Sequence, residues 1–103
     1  MRVGDAWKDL EREAANKLGG SRILRGADFS KRMGDVDHPV LGIEAKYGGQ
    51  VPKFFYAALS QCQEYGDKPP VVVARRKNKK PTVTMYLDDF AELFASVLRS
   101  KGD

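Results

Sequence analysis

Apolar residues recur at helical spacing near the start of the chain. Trp7, Leu10, Ala14, Ala15 and Leu18 fall on one face, and Gly19-Gly20 ends the run. Ser21 to Gly26 reads as a short strand and Ala27 to Met33 as a polar loop. From Val40 to Tyr47 the period changes to two: Leu41, Ile43, Ala45 and Tyr47 share one side, Gly42, Glu44 and Lys46 the other. Asp35-Val36 leads into that strand through His38-Pro39, a turn or bulge. Pro52 suits the first turn of a second helix, which carries Phe54, Phe55, Ala58, Leu59 and Cys62 towards Tyr65 and ends at Gly66. Pro69-Pro70 introduces Val71-Val72-Val73-Ala74, an apolar run of the kind buried in a central strand. Thr82 to Leu87 gives another strand after the basic turn Arg75 to Pro81. Asp88 or Asp89 caps the last helix, with Glu92 closing a capping box and Phe90, Leu93, Phe94, Val97 and Leu98 as its buried stripe. The order α-β-β-β-α-β-β-α, without repeat or linker, predicts a single-domain α/β sandwich around a central mixed sheet over residues 1–103.

A chain of 103 residues is of ordinary domain size and buries roughly two-thirds of its unfolded surface, enough for one core. Cys62 is the only cysteine, which excludes an internal disulfide and a four-cysteine zinc site. Met1-Arg2-Val3-Gly4-Asp5 has no apolar run behind it, and no stretch is long and apolar enough to span a membrane, so a soluble, cytoplasmic protein is expected. The net charge of +4 is modest but clumped. Arg22, Arg25, Lys31 and Arg32 surround the approach to Asp35, and Arg75, Arg76, Lys77, Lys79 and Lys80 form a second cluster. Local basic density of this kind attracts phosphate backbones through counterion release. A solvated, solubilising loop is the plainer alternative.

The candidate chemistry lies in Gly34-Asp35-Val36-Asp37 and Ile43-Glu44-Ala45-Lys46. Period two puts Glu44 and Lys46 on one strand face, with Asp35 at a bend upstream. Phosphodiester hydrolysis needs a strong nucleophile and neutralisation of charge on phosphate oxygens, and Mg2+ held by one or two carboxylates supplies both. Asp35 and Glu44 are the natural pair, and the Ala45 backbone carbonyl can complete the protein side. Lys46 can orient or deprotonate the attacking water, or stabilise charge on the phosphorane. Glu-x-Lys alone is often just a salt bridge; the apolar strand, the upstream acid, and Glu11 or Glu13 on the first helix give it weight.

These residues and their order resemble the PD-(D/E)XK nuclease superfamily, and within it the small phage and archaeal Holliday-junction resolvases. The resemblance runs from Trp7 to about Phe94. It rests on Trp7-Lys8 with Glu11-Arg12, Gly34-Asp35-Val36, Glu44-Ala45-Lys46, Ala58 to Gln61, Pro70 to Val73, and Leu87 to Leu93. It implies Glu11 as a helix-borne acid reaching the metal directly or through water, Asp35 and Glu44 as direct metal ligands, and Lys46 as the catalytic lysine. Gly34 stands where the motif's name has proline. Asp37 rivals Asp35 but precedes His38-Pro39 and faces the turn. Gln61 and Tyr65 have a spacing that resembles RecB-like exonucleases; Gln61 can bond a phosphate or a catalytic carboxylate, and Tyr65 reads as core.

The implied cofactor is Mg2+, with Mn2+ able to substitute, and the implied partner is DNA, in four-way junctions or other branched structures. Cutting two strands of a junction implies a homodimer, with Phe54, Phe55 and Tyr56 as candidate interface residues because three consecutive aromatics cannot all enter one core. His38, the only histidine, reads as structural or solvated. Cys62 reads as a small core residue. Three competing functions stand beside the resolvase: a nuclease or nickase on flaps or single strands, a catalytically inactive DNA-binding module, and a structural domain that docks on another protein through Phe54 to Tyr56.

Overall fold

In the computed structural model, which describes residues 6–22 and 36–102, the first helix, α1, spans Ala6–Leu18. Its buried residues are Ala6, Glu11, Ala14 and Ala15. It stops where the glycine pair stands. Gly19 takes φ +81°, a left-handed conformation that carries no Cβ penalty, and Gly20 N–H donates to the Ala15 carbonyl at 2.8 Å, the six-to-one bond of a Schellman ending. Gly20 has a second role. A Cβ there would lie 2.5 Å from the Asp37 carbonyl oxygen and 2.9 Å from Val36 Cγ1, so glycine is what lets the chain pass this close.

Two short strands follow, β1 (Ser21–Arg22) and β2 (Val36–Asp37), antiparallel with Ser21 opposite Asp37 and Arg22 opposite Val36. α1 lies against both. Val36, 1 % exposed, is the centre of this packing. A further antiparallel bridge joins Val36 to Ile43. The strand expected over Val40 to Tyr47 is therefore one bridge and not a ladder. Pro39 lacks a backbone donor just before it, and Gly42, Gly48 and Gly49 weaken extended pairing. The alternation itself survives: Leu41, Ile43 and Ala45 are half-buried while Gly42, Glu44 and Lys46 are exposed. Tyr47, expected on the inner side, is 57 % exposed at the entry to the glycine turn.

These elements belong to the unit Met1–Val51; the second unit is Pro52–Asp103. There α2 spans Lys53–Gln63 with Pro52 at its N-cap. Phe55, Ala58, Leu59 and Cys62 turn inward at i, i+3, i+4 and i+7 spacing. They lie on β3 (Val71–Ala74), where Cys62 Sγ donates to the Val71 carbonyl at 3.7 Å. β3 pairs antiparallel with β4 (Thr82–Met85), Val71 opposite Met85 and Val73 opposite Val83. Val72 is buried, but Val73 is 69 % exposed, so β3 is not the doubly covered strand its sequence suggests. α2 covers one face of the pair, and side chains alternate across a strand, so Val71 and Val73 point the other way.

The turn between β3 and β4 is closed by Lys79 N–H donating to the Arg76 carbonyl at 3.1 Å, with Asn78 at φ +64°. Positive φ at the third turn residue is the type II pattern, which takes glycine or asparagine there. The last helix, α3 (Leu87–Gly102), starts before its expected caps. Asp88 and Asp89 sit inside the first turn, where their charge complements the helix dipole. Phe90 and Phe94 stack with centroids 5.8 Å apart, while Leu93, Val97 and Leu98 are exposed, so the stripe expected in a core is largely open. Amphipathic spacing marks a face that can be covered, not one that is. Tyr65, expected as core, is 77 % exposed because α2 ends before it.

The chain is thus a small α/β protein, with three helices and two small antiparallel sheets among the described residues. A central mixed sheet is not among the described pairings. No described helix is long and apolar enough to cross a membrane.

Candidate active site

Glu44 and Lys46 follow the Ile43 bridge and are carried on the side opposite Ile43 by the alternation. Lys46 Nζ lies 3.9 Å from Glu44 Oε1, and the two side chains are 60 % and 67 % exposed. This is a loose, solvated pair, open to an approaching ligand and worth little to stability. Ala45 between them is half-buried.

Residues directly opposed across antiparallel strands share a face. Arg22, Val36 and Ile43 therefore form one row on the side that meets α1. Glu11 of α1 is buried there, and Arg22 Nε donates to Glu11 Oε1 at 2.7 Å. The Arg22 guanidinium also lies over the Trp7 ring, 5.8 Å from its centroid, and the Lys8 ammonium lies 5.5 Å from the same centroid. Arg22, expected among the phosphate-binding cations, is instead an internal counter-charge with a side chain only 19 % exposed. The two acids considered for α1 are separated by this geometry. Glu11 faces inward to Arg22, while Glu13 is solvent-exposed and ion-paired with Lys17.

The structure thus joins Glu44 with Lys46 and Glu11 with Arg22. No hydrogen bond or ion pair links the two pairs among the described residues. Asp35, Arg25, Lys31 and Arg32 lie outside the described residues. Asp37 is exposed in β2. Gln61 is exposed on α2. Arg75, Arg76, Lys77, Lys79 and Lys80 are all exposed around the β3–β4 turn.

Among the described residues no three His, Cys, Asp or Glu side chains converge as metal ligands do. Glu44 offers hard oxygen donors of the kind Mg2+ takes, but one exposed carboxylate is less than a formed site. The described residues therefore do not by themselves fit a bound magnesium ion.

His38 organises the approach to Glu44. Its Nε2 lies 2.7 Å from the Leu18 carbonyl at the end of α1, and its Nδ1 accepts from Val40 N–H at 3.0 Å and Leu41 N–H at 3.1 Å. With Nδ1 accepting from two backbone N–H groups, Nε2 is the ring nitrogen that donates to the Leu18 carbonyl. The structural reading of the lone histidine fits this arrangement. The Leu18 carbonyl lies at the end of α1, and the Val40 and Leu41 amides lie in the segment after β2; these partners are not legible from spacing, the adjacent proline being the one signal of a turn.

Against known proteins, no family model, no curated protein and no solved structure matches this chain.

Proposed function

We propose that the chain is a metal-dependent endodeoxyribonuclease that hydrolyses phosphodiester bonds in branched DNA, a Holliday-junction resolvase of the restriction-endonuclease-like PD-(D/E)XK type. The observation that carries this reading is the bridge between Val36 and Ile43. The chain enters Val36 from Asp35 and leaves Ile43 into Glu44, so this bridge supports the two acids of the motif acting as a pair, with the Lys46 ammonium 3.9 Å from Glu44. The sandwich with a central mixed sheet belongs to the same proposal, as do Mg2+ or Mn2+ through the hard oxygens of the two acids, and a cytoplasmic setting.

In this reading Glu11 holds Arg22 and the β1–β2 pair in place and is not a ligand. Arg75 to Lys80 supply cations for the DNA backbone. Two symmetric cuts require two copies of the chain, and the exposed ring of Tyr56 is apolar surface that a second copy can cover. A second reading, a DNA-binding module without catalysis, is favoured by the Glu11–Arg22 pair, which removes one acid from any metal site.

Cleavage of a labelled four-way junction, compared with duplex, flap and single-strand substrates in Mg2+ and in EDTA, separates these readings. Paired nicks in the junction, lost in EDTA, support the resolvase. Metal-dependent cutting of flaps or single strands alone replaces the substrate, and binding without cutting under any metal selects the module.

A further inference from the structure

Within the second unit, the first turn of α2 and the β3–β4 turn enclose a shallow cleft of ≈ 520 Å³. Its walls differ in chemistry. Phe54 and Phe55 form one side, with ring centroids 5.4 Å apart at 68°, and Arg75, Arg76, Lys79 and Lys80 form the other. No acidic residue lines it. Phe54 is 62 % exposed, so one ring is presented to solvent beside the cations.

Folding accounts for Phe55, which turns inward, but not for the exposed ring of Phe54 or for the cations. The four cations make no ion pair among the described residues, and they stand within six positions of one another, where like charges repel. The turn that carries them is ordered by the Lys79–Arg76 backbone bond and by Thr82 Oγ1 donating to the Ala74 carbonyl at 3.3 Å. An aromatic platform beside a fixed basic rim matches the two chemical parts of a nucleotide: a flat base and an anionic phosphate. In a duplex the base faces are stacked on their neighbours and closed to Phe54. An unpaired base is free to use it.

We propose that this cleft binds a single-stranded segment of nucleic acid, one base stacked on Phe54 and the adjoining phosphates on Arg75, Arg76, Lys79 and Lys80. The proposal deepens the nucleic-acid side of the function given above and rests on that reading for its biological setting, but binding here needs neither Glu44 nor a metal. At a branched substrate the cleft takes unpaired nucleotides, those of a flap or those freed where base pairs open at the crossover of a four-way junction.

The test is fluorescence anisotropy of the full chain with labelled oligo-dT, oligo-rU and a duplex of equal length, all in EDTA so that cleavage plays no part. Single strands bind more tightly than duplex, and the dT and rU arms tell DNA from RNA. Phe54→Ala weakens single-strand binding by about tenfold or more and leaves duplex binding unchanged, whereas Phe54→Trp retains it. Phe54 is exposed, and circular dichroism confirms that the variants fold. Arg76→Gln with Lys79→Gln lowers the salt dependence by about 0.7 in log–log slope for each phosphate that is no longer neutralised. Equal affinity for duplex and single strand, no effect of Phe54→Ala, or equally tight binding of poly-glutamate would each overturn the proposal. A chain that binds as proposed yet never cuts DNA would sink the nuclease assignment alone.

Discussion

Removing Arg22 should damage this protein more than neutralising Glu11, although the two side chains share one bond. Arg22→Met leaves the Glu11 carboxylate, 3 % exposed, without its counter-charge at 2.7 Å. Breaking a buried pair from one side costs about 3–5 kcal/mol, and the partial exposure of Arg22 puts this case at about 3 kcal/mol. Glu11→Gln is milder: the amide oxygen still accepts from Arg22 Nε, the guanidinium keeps Trp7, and the loss is about 1 kcal/mol. Replacing both, as Glu11→Leu with Arg22→Met, removes the buried charge altogether and should return stability to within about 1 kcal/mol of the parent. Urea unfolding followed by circular dichroism reads all three. With m about 1–3 kcal/mol/M, Arg22→Met moves the midpoint down by about 1–3 M. An Arg22→Met variant no worse than Glu11→Gln would refute the buried-charge cost. So would a double variant no more stable than Arg22→Met alone, since removing the unpaired carboxylate should relieve its cost.

Gly20→Ala should destabilise by about 3 kcal/mol, because the added methyl meets a backbone oxygen that cannot turn aside. Gly19→Ala meets nothing within 4 Å and loses only about 1–2 kcal/mol to its left-handed backbone; the reverse order in a melting series would contradict the close approach at Gly20. His38→Ala removes the bonds to the Leu18 carbonyl and to the Val40 and Leu41 amides in a half-exposed setting and should cost about 2 kcal/mol. Its signature is faster hydrogen exchange at the Val40 and Leu41 amides with α2 unchanged, and unaltered exchange there would disprove the arrangement.

The helices are legible in the sequence because their apolar residues repeat at the helical period and their ends carry glycine or proline. α1 stops at Gly19 as the sequence indicates, and Phe55, Ala58, Leu59 and Cys62 of α2 turn inward as spaced. The strands are legible only in part. Alternation over Leu41 to Lys46 assigns faces correctly, but a period says nothing about which backbone supplies the hydrogen bonds, and one bridge at Ile43 is what forms. The Val71 to Ala74 run reads as doubly buried since valine suits either environment; only the pairing with β4 reveals an open face. Arg22 misleads for a similar reason. A basic residue in a basic neighbourhood looks like a phosphate ligand until α1 folds onto β1 and brings Glu11 to it. Glu44 and Lys46 go together because adjacency on a strand face is local, whereas the position of Glu11 relative to them depends on which side of the ribbon the helix covers.

If Asp35, Glu44 and Lys46 act as one catalytic group and Glu11 stands apart from it, single variants will separate the two sets. Nicking of a four-way junction in Mg2+ reads this most directly, with folding of each variant checked by its urea midpoint. Asp35→Ala, Glu44→Ala and Lys46→Ala should each abolish cleavage while still binding the junction, and Glu11→Gln should retain it. Cleavage that survives Glu44→Ala, or that vanishes in a well-folded Glu11→Gln, would contradict this assignment.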